Sequence, residues 1–239
     1  MVYGNRTNYG QAIGILMLET FFPRIPGDIG NATTFRYPVL YKTIKGANAD
    51  TVVKRPDPNI VGLFAEGAQE LVEQGARAIV TSCGFTAIFH RELAAAVDVP
   101  VFSSSLLQAK LIYSMLKPGQ KVGIITANKP LLTQRHFEGV GIQDIPKVVA
   151  GMEETDFGKM FFNGNHRIDV EKATEDMCRV AKKLVDENPD VGAILLECTN
   201  MPPFSKAVQD TTGLPVFDII TLTDYVYSAV VQRQFTGYL

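Results

Sequence analysis

The sequence predicts an α/β protein of two pseudo-symmetric lobes, each a mainly parallel sheet flanked by helices, with a site in the cleft between them. Three observations carry this. Short apolar runs alternate with helix-length amphipathic segments, the pattern of successive βαβ units. Two of the runs, Ala78-Ile79-Val80-Thr81-Ser82-Cys83 and Ala193-Ile194-Leu195-Leu196-Glu197-Cys198, end in a cysteine, and the cysteines lie 115 positions apart. Each cysteine is followed, 16 positions on, by a second run of similar composition: Val99-Pro100-Val101-Phe102 and Leu214-Pro215-Val216-Phe217. A repeat at one fixed offset reads as an internal duplication.

The elements follow in order. Ile13–Leu18 is a continuous apolar run, as in a strand buried on both faces. Residues 19–38 mix prolines, glycines, aromatics and charges without periodicity, which predicts a binding loop or lid. Val39–Ile44 is a second strand. Apolar residues at Ile60, Leu63, Phe64, Ala68, Leu71 and Val72 predict a helix over 59–74, closed by Gly75. The first cysteine strand precedes a helix over 86–97, the strand 99–102 and a helix over 105–116. The second half restarts at 121–128, with a short strand at 147–150 and a long amphipathic helix over 170–187. The second cysteine strand, a helix over 202–211, a strand over 214–219 and a helix from about 221 to 233 complete it. The expected lobes are residues 1–115 with 221–239, and residues 116–220.

Composition narrows the function classes. Lys+Arg 23 against Asp+Glu 25 gives a net charge of -2, which argues against a nucleic-acid partner. No apolar run reaches the ~18 residues of a membrane span. The first residues lack a charged segment followed by a long apolar one, so a cytoplasmic setting is expected. Three cysteines without a C-x-x-C spacing suit free thiols, and no metal site is expected. His90, His136 and His166 have no partner at metal-ligand spacing and read as surface or packing residues. Cys178, on the long helix, reads as a small apolar filler.

In an open parallel sheet, ligands bind beyond the carboxyl ends of the strands, where both Cys83 and Cys198 stand. The residues after them, Gly84-Phe85-Thr86 and Thr199-Asn200-Met201, would open helices whose free N–H groups favour an anion and lower a thiol's pKa. If the lobes face each other, the two sulfurs flank one cleft and a small carboxylate substrate lies between them. A thiolate on one face removes the proton α to the carboxylate and a thiol on the other returns one, inverting that carbon. Thr86 and Thr199 could instead be helix-start residues. Arg24 could pair a second acid group of the substrate or belong to the loop's own structure.

These motifs, Thr81-Ser82-Cys83-Gly84-Phe85-Thr86 and Leu196-Glu197-Cys198-Thr199-Asn200-Met201-Pro202, resemble the aspartate/glutamate racemase superfamily. The resemblance implies a cofactor-independent racemase or epimerase of amino acids or related small acids, usually a homodimer or higher homo-oligomer. It implies Cys83 and Cys198 as paired acid and base, with Thr86 and Thr199 on the substrate carboxylate and Gly84, Asn200 and Glu19 at further contact positions; Phe85, Arg24 and Thr126 are expected around the substrate as well. Gly84 stands where the family often has Asn, and Asn200 where glutamate racemases have His. An Asp after the first strand is also missing, with Glu19 near its place. These departures point away from classical glutamate racemase. Maleate isomerase and arylmalonate decarboxylase share the superfamily, and the latter keeps one of the two cysteines. A maleate-type cis-trans isomerase with Cys83 as nucleophile, and a non-catalytic small-acid binder, are the competing readings.

Overall fold

Two four-stranded parallel sheets of identical strand order make up the computed structural model, which describes residues 4–164 and 167–237. The first contains β1 (Ile13–Leu18), β2 (Val39–Ile44), β3 (Ala78–Thr81) and β4 (Val101–Phe102), in the order β2-β1-β3-β4. Its helices are α1 (Ile60–Gln74), α2 (His90–Ala95) and α3 (Ala109–Met115). The second contains β5 (Lys121–Thr126), β6 (Lys147–Gly151), β7 (Val191–Leu196) and β8 (Val216–Phe217), in the order β6-β5-β7-β8. Its connections carry α4 (Gln134–Gly139), α5 (Asp156–Met160), α6 (Val170–Glu187) and α7 (Ser205–Thr212), and α8 (Ile219–Val230) is the last element among the described residues.

The duplication is visible in the register. β1 pairs β3 with Gly14 opposite Ile79, and β5 pairs β7 with Gly123 opposite Ile194. Each glycine lets a helix lie close on its sheet. A Cβ at Gly14 would meet Leu71 of α1 at 3.1 Å, and one at Gly123 would meet Leu184 of α6 at 3.0 Å.

α1 buries Phe64, Ala68 and Leu71 against Leu16 and Ile79 on one face of the first sheet. α8 crosses back to the opposite face, where Ile219 and Leu222 pack with Ile13, Ile15, Val80 and Phe102. In the second lobe α6 buries Ala173, Met177, Ala181 and Leu184 at i, i+4, i+8 and i+11. Asp169 caps its first turn by accepting from Lys172 N. Full burial of a side chain such as Leu184 contributes about 1.5–3 kcal/mol. The lobes share a core, since Leu106 and Ile112 pack with Val122, Ile124 and Leu195.

The structure differs from the sequence expectation at helix starts. The helices expected from 86, 105 and 202 open as 3-10 turns at Gly84–Phe89, Ser105–Gln108 and Pro202–Phe204 before α2, α3 and α7. A tighter i→i+3 turn lets the chain reverse sharply at a strand end. The last strand is shorter than expected and α8 starts at Ile219. A π-helical turn at Ala49–Lys54, α4 and α5 were not anticipated, because five or six residues are too few for periodicity to register. Among the described residues no helix is long and apolar enough to cross a membrane.

Candidate active site

β3 and β7 lead into Cys83 and Cys198, which line one cavity of about 50 Å³. Cys83, Gly84, Phe85, Cys198, Thr199, Asn200 and Arg24 all line it. So do four residues that sequence reasoning missed: Ser82, Glu197, Phe161 and Phe162. The lobes are tied at this level. Thr199 Oγ1 donates to Ser82 O (2.6 Å), and Ser105 Oγ donates to Leu196 O (2.8 Å) and Glu197 O (3.2 Å).

Three expected site residues lie elsewhere. Thr86 is fully buried behind the cavity, its hydroxyl donating to Cys83 O and Ser103 O and sharing a hydrogen bond with Thr81 Oγ1. It shapes the turn after Cys83 rather than facing a ligand. Glu19 points away and accepts from Gly46 N, so it does not replace the missing aspartate. Thr126 touches the cavity through an intermediary, donating to Glu197 Oε2 at 2.7 Å. His136 is buried with its ring edge on Phe85, His90 bonds Ser103, and His166 lies outside the described residues. No cluster of metal-ligating side chains occurs among the described residues.

The carboxylate that serves this site from the first lobe is Asp28, in the loop over residues 19–38. Asp28 Oδ1 accepts from Arg24 Nη1 at 3.0 Å and Oδ2 accepts from Asn200 Nδ2 at 2.6 Å. That contact fixes the Asn200 amide so that its Oδ1 faces Cys198 Sγ at 3.5 Å. Arg24 also donates to Thr20 Oγ1 and lies 4.4 Å over the Phe22 ring. The loop thus walls the cavity with Thr20, Phe22 and Arg24, and reaches the other lobe through Ile29 N to Thr199 O.

The electrostatics depart from the expected lowering of the thiol pKa values. Burial, then the Glu197 charge, push the Cys83 thiol up to about 12, against the opposing pull of the Phe85 and Thr86 N–H groups and Arg24. Cys198 is raised well above an ordinary thiol by burial and then by Glu197, with the Asn200 N–H opposing. Glu197 itself is fully buried, and burial raises its carboxyl to about 7 although Thr126 pulls it down. The backbone donors are where the sequence places them, yet desolvation outweighs them.

Both thiols thus stand at matching strand ends of two parallel sheets of the same strand order. The Asp/Glu/Hydantoin racemase model matches residues 41–223, and the chain belongs to this family. Dimethylsulfoniopropionate lyase of Durusdinium sp. clade D is 31% identical over 221 residues, covering 90% of this chain and 73% of that protein. Dimethylsulfoniopropionate lyase 7 of Emiliania huxleyi (strain CCMP1516) is 30% identical over 232 residues, covering 93% and 68%. Among solved structures, unliganded arylmalonate decarboxylase superposes with a TM-score of 0.62 at 15% identity, covering 94% of each chain. Picrophilus torridus aspartate racemase gives 0.58 at 16%, covering 92% of this chain and 94% of that one. These structures share the fold.

Proposed function

We propose that the chain is a lyase that cleaves a β-sulfonio carboxylate of the dimethylsulfoniopropionate type into an alkene acid and a dialkyl sulfide. The observation that carries this reading is the cavity wall. Phe22, Phe85, Phe161 and Phe162 surround the two thiols. A sulfonium is a cation that carries methyl groups and no N–H donors, so aromatic faces suit it. An amino acid's ammonium is satisfied by hydrogen-bond acceptors, which the aromatic faces do not supply. The two relatives named for this substrate support the same choice.

The chemistry needs one base. The carboxylate of the substrate sits against the N–H groups at the strand ends and the exposed edge of Arg24. Cys83, as thiolate, takes a proton from the carbon α to that carboxylate. The C–H electron pair becomes the C=C bond, the C–S bond breaks, and its pair leaves on a now neutral sulfide. Cys83 is the better base of the pair because two N–H groups favour its thiolate, whereas the Cys198 thiol donates to Asn200 Oδ1. The leaving group needs no proton, so Cys198 orients the substrate.

A second reading, the two-base racemase or epimerase, rests on the two cysteines lining one cavity. Headspace gas chromatography separates the readings. With dimethylsulfoniopropionate, release of dimethyl sulfide with equimolar acrylate is expected. No sulfide, together with α-proton exchange of an amino acid or hydantoin in deuterated water, would establish the second reading instead.

A further inference from the structure

We infer that Glu197 is the proton acceptor of the two-cysteine site, its Oε1 taking the Sγ proton of Cys83 when the thiolate forms. As a step of catalysis this rests on the lyase reading; as a proton transfer it is testable without substrate.

The geometry singles out one carboxylate oxygen. Glu197 Oε2 accepts from Thr126 Oγ1, while Oε1 is buried and makes no hydrogen bond. An orphan carboxylate oxygen away from water is costly unless it has a proton or a donor within reach. Oε1 lies against the backbone next to Cys83, since a Cβ on Gly84 would stand 2.0 Å from it. The residue is held rigidly, its N–H donating to Ile125 O and its carbonyl accepting from Ser105.

The ionisable groups facing it are Cys83 from the first lobe and Cys198 from its own strand end. β5 contributes the neutral Thr126, and the loop contributes Arg24 and Asp28, which pair with each other. Burial raises the carboxyl to about 7 and its charge raises both thiols, so of the three groups the carboxyl is the first to lose its proton as pH rises. The transfer is Cys83–SH plus Glu197–COO⁻ giving Cys83–S⁻ plus Glu197–COOH. One S–H bond breaks, one O–H bond forms, and the buried charge is unchanged. A thiol too desolvated to lose its proton to water can lose it to a neighbour equally desolvated. The single charge then faces the single positive charge of a sulfonium.

The test is the pH dependence of Cys83 alkylation by iodoacetamide, read by peptide mass so that Cys178 and Cys198 are resolved. The native protein is expected to show a rise centred near 7, the carboxyl's own value, ahead of the ordinary high-pH rise. Glu197→Gln is expected to lose the first rise and to alkylate roughly tenfold more slowly at neutral pH. Thr126→Val removes the bond that favours the carboxylate, so the midpoint should move up. The inference is overturned if Glu197→Gln alkylates as fast as native or faster at neutral pH, because deleting a merely repelling charge lowers the thiol's pKa. A midpoint unmoved by Thr126→Val overturns it as well. Should the first rise appear without any dimethyl sulfide release, the lyase reading alone falls.

Discussion

Glu197 fills the space that a side chain at position 84 would need: a Cβ on Gly84 would stand 2.0 Å from Glu197 Oε1 and 2.4 Å from its carbonyl oxygen. Glycine alone fits position 84 while Glu197 stands there. Gly84→Ala should lower stability by roughly 1–3 kcal/mol, since the obstacle includes backbone. Thermal or denaturant melting of Gly84→Ala, Glu197→Gly and the double variant tests this. The double variant should recover part of the loss through the coupling of the pair. Simple additivity would contradict the contact.

The lyase and racemase readings differ in how the cysteines fail. Under the lyase reading, Cys83→Ala should cut dimethyl sulfide release by about 10³-fold or more, while Cys198→Ala costs about 10–100-fold. A two-base racemase loses turnover equally with either change. Steady-state kinetics on both variants, with circular dichroism to show that each folds, decides between them.

The aromatic wall makes its own prediction. Phe162→Leu keeps the apolar volume and removes a π face from the cavity. KM for the sulfonium substrate should rise by about 2–30-fold, in line with 0.5–2 kcal/mol for a cation on an aromatic face. An inhibitor with the same carbon skeleton and a neutral thioether should be almost unaffected. Equal losses for both ligands would mean that shape rather than charge is recognised.

Breaking the buried pair at the loop should be costly. Arg24 and Asp28 side chains are 15% and 3% exposed. Arg24→Met leaves Asp28 buried without its cation, a loss of about 3–5 kcal/mol in comparable pairs. Denaturant midpoints measure it. Arg24→Met with Asp28→Asn together should be milder than Arg24→Met alone.

His136 supplies a pH signature of stability. Its Nδ1 faces the Thr133 N–H and its Nε2 is buried without a partner, and burial lowers it from 6.5 to about 4. The unfolded chain therefore binds a proton below about 6.5 that the folded chain refuses until about 4. Stability from this residue is full above that window and lost as pH falls through it, by up to about 3 kcal/mol. Melts of His136→Gln between pH 7 and 4 should show a shallower decline than native. An identical slope would rule the histidine out.

The architecture was legible because its signals are long-range repeats: cysteine, apolar run and proline recur at one offset in both halves. The 3-10 openings were not legible, because a tight turn and an α-helix share the same apolar spacing over one turn. Site residues were legible where the strand ends fix them. Thr86 was misassigned because a threonine hydroxyl can turn to a ligand or to the carbonyl three residues back, and the sequence does not distinguish these. Asp28 was missed because it reaches Asn200 across 172 positions through an aperiodic loop. Glu197 did have a signal, a charged residue closing a wholly apolar strand directly before a cysteine.

The two strand ends are related by the repeat, yet the residues before the cysteines are Ser82 and Glu197. Two identical half-length chains, associated as a symmetric pair, would have to carry either two carboxylates there or none. Two would crowd like charges into one cavity, and none would leave both sulfurs without a neighbour to hold a proton. Joining the halves in a single polypeptide removes that restriction. Asymmetry becomes heritable: one half supplies the acid, and the other supplies, at Gly84, the empty space it occupies.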